Sequence, residues 1–290
     1  MVEWVFGEGQ QMDMERGARS MGWSAPLRRW AVPSCLALLA SSLVGESPTV
    51  VLPAPPRVVE PPMEQVMAGR YVYERQCMVC HGKWGDGRGE MAEGMIPRPR
   101  RLTSGVFKYR TTPTGFLPTD ADLERTLRTG VGGTSMPSFS HLPEREIASV
   151  IAYVKTLSSR WRRETNHTAA LAMAPVPRWF EDAAERGRHA AAGAAVFGRL
   201  CVPCHGAGAA GDGSAAGSLE DVWGDRVRPA DLRQPLARSG PGWVDLYRTI
   251  TTGLDGTPMM GFAEVTRPEE RWELVAFIRE RKEAFRAKAD

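Results

Sequence analysis

Apolar side chains in this chain recur at helical spacing rather than at the alternating spacing of a strand. Two stretches show this spacing best, with Ile147, Val150, Ile151 and Val154 in the first, and Leu274, Val275 and Ile278 in the second. Pro143 and Pro268 precede these stretches, each followed by Glu, and both residue types are favoured in the first turn of a helix. The pattern therefore predicts one helix in each stretch.

Two shorter helices are predicted ahead of two pairs of cysteines. Their apolar residues are Val66, Tyr71 and Val72 before the first pair, and Ala194, Val196 and Phe197 before the second. The segments between the predicted helices are rich in Gly, Pro and Arg and show no alternation of apolar and polar residues. We therefore expect an all-α fold.

The same order of segments occurs twice along the chain. Three blocks align at offsets of 123 or 124 residues, namely 69–82 with 193–206, 122–139 with 245–262, and 150–155 with 274–279. Blocks in one order at a nearly constant offset indicate a duplicated domain of about 100 residues. We expect the first domain at 63–158 and the second at 184–290. The residues between them, 159–183, are rich in small, polar and proline residues and are predicted to be a linker.

The N-terminal residues 1–46 are predicted to be an extension with a signal peptide. Arg28 and Arg29 precede an apolar stretch at 30–44, and this order is typical of a secretory leader. The stretch is about 15 residues long, whereas a helix that spans a bilayer needs about 20. A cleaved leader is therefore expected, and an uncleaved anchor is the alternative.

Three smaller features belong to the same region. Met21 is the candidate true start of the protein, because the residues before it resemble neither a leader nor a domain. Cys35 lies within the predicted leader and is badly placed for lipid attachment at a cleavage site. Residues 47–62 are rich in proline and are predicted to be a tether without regular packing.

Composition and charge restrict the functional classes. The 290 residues carry a formal net charge of +3 with both signs mixed and no long basic run, so no nucleic-acid partner is expected. The chain has five cysteines and five histidines, and six of these ten residues lie within 77–81 and 201–205. Cysteines scattered for packing would not cluster in this way.

Each cluster has the form Cys-x-x-Cys-His, which is the attachment signature of c-type haem. Two thiols one helical turn apart can bond the two vinyl groups of one porphyrin, and the next residue then presents its imidazole to the iron. Covalent attachment holds the haem in a domain whose apolar core is too small to retain it by burial alone. The sequence predicts two covalently bound haem c groups, attached through Cys77, Cys80, Cys201 and Cys204, with His81 and His205 as iron ligands.

Other uses of the cysteine pairs explain less of the pattern. A zinc site would need the two pairs to meet across the linker, and this would not explain the histidine beside each pair. A thioredoxin-like motif would need a βαβ context, which the sequence lacks. A disulfide across so short a loop would stabilise the fold poorly.

Each copy also offers a second axial ligand. Met136 and Met259 occur in the same Gly-Thr-x-Met-x-x-Phe frame, 55 and 54 residues after His81 and His205. Methionine usually fills gaps in a core, but a core residue would not require this frame at this distance. His141 is the rival ligand in the first copy and has no counterpart in the second. The remaining histidines, in and near the linker, are poor candidates: His167 and His189.

Each copy resembles a class I cytochrome c domain, and the chain as a whole resembles a periplasmic di-haem cytochrome c. The resemblance covers about 63–158 and 184–285. It implies two tandem helical bundles, each around one haem. It also implies a Pro-x-x-Leu segment whose proline carbonyl accepts a hydrogen bond from the proximal imidazole, and Pro99 and Pro229 match that element.

The first copy contains a basic segment and a longer loop than the second. Residues 97–110 carry five basic side chains and no acid, namely Arg98, Arg100, Arg101, Lys108 and Arg110. These residues form either a solvated face or a surface that compensates haem propionates and docks an acidic partner. The loop at 107–123 is longer than its counterpart, so we expect the two haem environments to differ.

These features predict a function in electron transfer. Ligation by His and Met closes both faces of the iron and raises its potential, which suits single-electron exchange rather than substrate binding. We expect a di-haem cytochrome, not an enzyme, that acts alone or as the cytochrome subunit of a respiratory oxidoreductase. The alternative is a di-haem enzyme such as a peroxidase or a thiosulfate-oxidising cytochrome. That function would require a displaced, His or Cys distal ligand, and no cysteine remains outside the leader.

The expected partners and location follow from this function. The partners are redox proteins that donate and accept electrons, with a peripheral association with a membrane respiratory complex as a further expectation. The predicted leader places the protein in the periplasm.

Overall fold

The computed structural model of this protein describes residues 57–235 and 238–288, which belong to one compact unit. The described residues contain eight α-helices: α1 Met63–Gln76, α2 Met78–His81, α3 Asp120–Thr129, α4 Glu144–Thr156, α5 Ala183–Leu200, α6 Val202–His205, α7 Trp243–Thr252 and α8 Pro268–Arg286. They contain no strand, and their only β-type pairing is an isolated bridge between Glu220 and Arg226. The predicted all-α fold is confirmed. The predicted leader at 1–46 and most of the tether lie outside the described residues.

The four predicted helices are present and pack in two equivalent pairs, α1 on α4 and α5 on α8. The pairs approach closely at glycine. A Cβ atom at Gly69 would lie 1.8 Å from the carbonyl oxygen of Ser149, and one at Gly193 would lie 2.0 Å from that of Glu273. Since both pairs of residues are related by the same offset of 124 positions, the duplication extends to the contact between the helices.

Each helix pair supports its own apolar core. The first core includes Val72, Leu102, Phe139, Ile147, Val150 and Ile151. The second includes Val196, Phe197, Leu246, Phe262, Leu274, Val275 and Ile278. The apolar positions that predicted α4 and α8 thus face a core.

Helices α3 and α7 were not predicted, although both lie in a repeated block. Helix α3 begins with a capping box in which the Thr119 hydroxyl accepts from the Asp122 amide at 3.2 Å and Asp122 accepts from the Thr119 amide at 3.0 Å. Thr followed three residues later by an acid is a signal of a helix N-terminus, and it could have located α3 from the sequence.

The predicted linker is packed rather than exposed. Trp161 is buried in the first core, and Phe180 is fully buried in the second. The indole nitrogen of Trp272 donates to the carbonyl of Ala174 at 3.3 Å. Three short 3-10 turns lie between the two domains: Ser159–Arg162, Glu164–Asn166 and Arg178–Phe180. The segment therefore contributes aromatic side chains to both domains, which its small and polar composition did not predict.

None of the helices within residues 57–235 and 238–288 is both long enough and apolar enough to cross a bilayer.

Candidate functional site

The first cysteine pair and its histidine lie on the wall of a deep cavity. Helix α1 ends at Gln76, Cys77 caps it through a bond from its amide to the Tyr73 carbonyl at 2.9 Å, and α2 then carries Cys80 and His81. The space free of protein atoms, counted with the solvent in the open mouth, is about 1400 Å³. The two thiols and the histidine thus face an open pocket rather than a packed core.

The structure brings the predicted site residues of the first domain together. Cys77, Cys80, His81, Pro99 and Met136 all line this one cavity. The remaining wall is largely apolar and comes from α3 and α4 and the loops beside them: Leu123, Leu127, Phe139, Val150, Ile151 and Val154. The arrangement provides an apolar slot with a histidine and a methionine in its lining.

Each motif histidine is oriented by a backbone carbonyl. His81 Nδ1 lies 2.9 Å from the Arg100 carbonyl oxygen, and His205 Nδ1 lies 3.2 Å from that of Ala230. A carbonyl only accepts, so Nδ1 carries the proton and the lone pair of Nε2 is free for a metal. Burial lowers the pKa of both histidines, which favours the neutral, metal-binding form.

The predicted acceptors were wrong by one residue. The Pro99 carbonyl lies beside Gly87, where a Cβ atom would be only 2.7 Å from it, and the Pro229 carbonyl takes the equivalent position beside Gly211. Successive peptide groups of an extended segment face opposite sides, so the carbonyl that follows each proline points to the histidine. Pro99 still lines the cavity and directs this segment.

The four motif cysteines form no disulfide and lie in two separate domains of the described residues. Burial raises the pKa of Cys77 to about 12 and that of Cys201 to about 11. Among the described residues, the cysteines of the two motifs do not come together as a group of metal ligands. The pairs therefore do not meet across the linker.

The repeated methionine frame has the same local structure in both domains. The amide of Met136 donates to the Thr134 hydroxyl at 3.1 Å, and that of Met259 donates to the Thr257 hydroxyl at 3.2 Å. The carbonyl of each methionine accepts from an amide at the start of its loop, at 3.0 Å from Val131 and 2.8 Å from Leu254. The frame therefore fixes the methionine backbone, and sequence reasoning missed this role of the two threonines.

The two neighbouring methionines of the second domain differ in burial. Met259 is half-buried and packs against the second core, as does Cys201. Met260 is 60 % exposed. Met259, and not Met260, therefore belongs to the apolar core that Cys201 also contacts.

The open end of the first cavity is basic. Arg100, Lys108 and Tyr109 line it, together with Arg238 from the second domain. Burial lowers the pKa of Lys108 to about 8 and that of Arg100 to about 10. One terminal nitrogen of Arg100 is buried without a hydrogen-bond partner in the part of the chain that the structure describes. Such an orphaned donor suits the carboxylates of a haem, so the residues present fit this group.

The basic segment is therefore only partly a solvated face. Arg98 is exposed and lies 3.9 Å from Asp225. Arg100 stacks its guanidinium over the ring of Trp223, 4.2 Å from the ring centre. Arg110 is buried and contacts the second domain.

The other histidines lie away from the cavity lining. His141 is exposed, with its ring 6.2 Å from that of Phe139. His167 Nε2 lies 2.9 Å from the carbonyl oxygen of Trp161. His189 stacks on Trp179 at 3.8 Å and bonds Glu273 at 3.2 Å. His189, Glu269 and Glu273 form the one cluster of potential metal ligands among the described residues.

Comparison with known proteins agrees with this geometry. The family model described as "Cytochrome C oxidase, cbb3-type, subunit III" matches residues 64–154 and 188–278. A chain from the structure of the Kuenenia stuttgartiensis reducing HAO-like protein complex is 35 % identical, with a TM-score of 0.70. The similarity covers 77 % of this chain and 99 % of that one. A comparison with curated proteins found no significant match.

Fold, site and comparisons together define a c-type cytochrome with two tandem haem domains, which serves electron transfer. The chain belongs to the family of cytochrome c domains described as cbb3-type cytochrome c oxidase subunit III. The predicted class, fold and general function are confirmed.

Proposed function

We propose that this chain carries single electrons through two covalently attached haem c groups whose irons are closed on both faces. In the first domain Cys77 and Cys80 hold the haem, and His81 and Met136 ligate its iron. The corresponding residues of the second domain are Cys201, Cys204, His205 and Met259. The supporting observation is that all four residues of the first set line one cavity.

The chain's own groups prepare such a site. When bound, haem supplies a one-electron iron couple. The carbonyls of Arg100 and Ala230 hold His81 and His205 in the tautomer that ligates through Nε2. Thr134 and Thr257 fix the backbone of the two methionines. Ligands held in advance on both sides leave no position for a substrate, and this supports a carrier rather than an enzyme.

A di-haem peroxidase or a thiosulfate-oxidising cytochrome remains the competing function. It requires an open face or a His or Cys distal ligand at one iron. The nearest rival ligand in the first domain, His141, is exposed and is not part of the cavity lining. The placement of Met136 in that lining supports the carrier function instead.

We further propose that the first domain docks a redox partner protein. Its motif segment exposes four large apolar side chains: Val79, Trp84, Met91 and Ile96. At the positions equivalent to Val79, Trp84 and Met91, the second domain has the smaller residues Pro203, Gly208 and Ala215. Exposed apolar patches of this kind mark protein interfaces. The similar Kuenenia stuttgartiensis chain comes from a complex of two proteins, which supports a role as a cytochrome subunit.

The proposed location is the periplasm, with peripheral association with a membrane respiratory complex. It is supported by the leader pattern at 1–46 and by the covalent haem motifs. A C-terminal fusion to a reporter enzyme whose disulfides, and hence activity, form only in the periplasm would test it, and an inactive fusion would contradict it.

The haem content and the closed irons are tested on one preparation. Expressed with its leader in a host that matures c-type cytochromes, the protein should carry two haems per chain that remain after denaturation. The reduced protein should bind carbon monoxide slowly and weakly at neutral pH. One haem per chain would reject the attachment, and fast stoichiometric binding at one haem would favour the enzyme.

The docking surface is tested by Trp84→Ser with Met91→Ser. The double variant should retain both haems but lose association with membranes that contain the partner complex. Unchanged association would reject the surface, and a loss of self-association instead would identify a second copy as its occupant.

A further inference from the structure

Arg110 of the first domain is buried against the second domain. Only 1 % of its surface is exposed. Its guanidinium donates to the Thr252 carbonyl at 3.0 Å and lies 3.5 Å from that of Gly253. Thr114 donates to the Thr252 carbonyl at 3.1 Å. The Thr252 hydroxyl lies between two carbonyl acceptors, that of Arg248 in its own helix at 3.0 Å and that of Arg110 at 3.2 Å. One short segment of the first domain therefore binds the end of one helix of the second.

The bound carbonyls lie at the C-terminus of α7, where the loop to Met259 begins. Carbonyls in the last turn of a helix lack partners within the helix, and a cation there is favoured by the helix dipole. Gly253 has φ +69° and packs on the backbone of the methionine segment, since a Cβ atom there would lie 2.6 Å from the Met259 carbonyl. Arg110 thus holds a turn that directly supports the backbone of Met259.

A second contact covers the same loop. A Cβ atom at Gly256 would lie 2.9 Å from Val106 of the first domain and 3.3 Å from Trp223. The Gly256 carbonyl accepts from the Val222 amide at 3.0 Å. The outer side of the loop from Gly253 to Met259 is therefore packed against the first domain as well as its own.

The equivalent loop of the first domain is held differently. Gly130 also has a positive φ, +66°, and packs on the Met136 carbonyl. Its own carbonyl lies 3.0 Å from the Thr129 hydroxyl, as the Gly253 carbonyl lies 3.4 Å from the Thr252 hydroxyl, but no arginine from the other domain binds it among the described residues. Ser138 donates to the Arg128 carbonyl in the same turn. Among the described residues, the hydrogen bonds of this loop all stay within the first domain.

We infer that Arg110 is a positioning residue through which the first domain stabilises the Met259–iron bond of the second haem. The inference rests on the proposed ligation by Met259. A guanidinium bound to buried carbonyls stabilises their turn more than a neutral donor does. Its removal leaves the Thr252 carbonyl with only the Thr114 hydroxyl at 3.1 Å, and the Gly253 carbonyl with only the long contact to the Thr252 hydroxyl at 3.4 Å. The first domain then contributes to the strength of the methionine bond at the second haem.

The test uses the full chain with both haems, in a Met136→Leu background. In that background the near-infrared band from methionine ligation of ferric haem arises from the second haem alone. Added imidazole competes with Met259, so loss of the band against imidazole concentration measures the strength of the methionine bond. Arg110→Met keeps most of the side-chain volume and removes the donors. It should lower the imidazole concentration for half-loss by about tenfold, or ~1.4 kcal/mol.

The matched control is Arg98→Met, which removes an exposed contact to Asp225 without touching the loop. It should leave the imidazole concentration unchanged. Hydrogen exchange gives a second readout, since peptides covering 253–259 should exchange faster in Arg110→Met while those covering 130–136 should not. A purely structural role of Arg110 would raise exchange throughout the second domain.

The outcomes test the ligation by Met259 and the role of Arg110 separately. Absence of the band in the Met136→Leu protein would overturn the ligation by Met259, whereas an intact band with unchanged imidazole competition in Arg110→Met would overturn the role of Arg110 alone. The same shift in Arg98→Met would also overturn it, because any loosening of the domain contact would then suffice. If Arg110→Met does not fold, Arg110→Lys and Thr114→Val should give smaller shifts in the same direction, and no shift in either would overturn the inference.

Discussion

The two haem domains share their motif, their methionine frame and their helix packing, but they differ in what surrounds these parts. In the first domain, Tyr73 donates to the Gly82 carbonyl at 2.7 Å, directly behind the motif histidine. In the second, the equivalent residue is Phe197, whose ring packs 4.9 Å from that of Phe277. The same predicted ligands are therefore surrounded by different residues in the two domains.

Some of the residues around each site come from the other domain. The first cavity ends in a basic group that includes Lys108 and, from the second domain, Arg238. The second methionine loop is bound by Arg110 from the first domain. Each domain thus contributes an arginine to the site of the other. A duplicated fold can in this way give two haems with separate properties while the residues on the iron stay the same.

The largest expected difference concerns the neighbouring methionines of the second domain. Met259→Leu should abolish the second haem's share of the near-infrared methionine band and lower the potential of that haem, because the iron loses its soft ligand. Met260→Leu should leave both nearly unchanged, since Met260 is 60 % exposed.

Spectroelectrochemistry of the two variants beside Met136→Leu provides the measurement. Met136→Leu should remove the other share of the band. A loss of the band in Met260→Leu with retention in Met259→Leu would show that the frame is aligned one residue out of register.

A smaller difference is expected from the hydroxyl of Tyr73. Tyr73→Phe recreates the residue of the second domain and removes one of the two donors to the buried Gly82 carbonyl, since the Gly85 amide still donates to it at 3.1 Å. The loss of one such hydrogen bond costs about 0.5–1.5 kcal/mol. We expect the first domain to unfold at lower denaturant concentration while the second is unaffected, as measured by the loss of each methionine band during denaturation.

Tyr153→Phe is the matched control. Its ring lies 5.1 Å from that of Tyr73, and its hydroxyl makes no hydrogen bond within the described part of the chain. Equal destabilisation by the two variants would contradict a specific role for the bond to Gly82.

The smallest expected effect is a pH dependence confined to the first haem. Burial lowers the pKa of Lys108 to about 8, so its ammonium group loses its charge as the pH rises through that value. Nearby haem carboxylates would stabilise the charge and move this loss to a higher pH. A positive charge stabilises the reduced iron. The potential of the first haem should therefore fall by tens of millivolts over this range, since one unit charge in a partly buried site is worth on the order of 1 kcal/mol.

Redox titrations between pH 6.5 and 9.5, chosen to span about two units around this pKa, provide the measurement. The potential of the second haem should not show this dependence, and Lys108→Met should remove it from the first. A slope that persists in Lys108→Met would assign the proton to another group.

Most of the fold could be predicted because its signals are local. The apolar spacing at Ile147, Val150 and Ile151 is a property of one helix face, and the repeat doubled the evidence for it. Helix α3 was missed because its signal is the capping pair Thr119 and Asp122 rather than an apolar stripe. The packing of the linker could not be predicted for a related reason, since a single Trp161 or Phe180 in a polar segment does not show whether a core lies beneath it.

The candidate haem ligands of this protein could be predicted from the sequence alone, because Cys-x-x-Cys-His and the methionine frame are short local segments that occur in both domains. The carbonyls that orient His81 and His205, one residue beyond the predicted prolines, depended on which way each peptide group faces in the folded segment. The contacts of Arg110 and Arg238 with the opposite domain depended on how the two domains pack against each other. No periodic or local sequence pattern reports either feature, so only the tertiary structure could decide them.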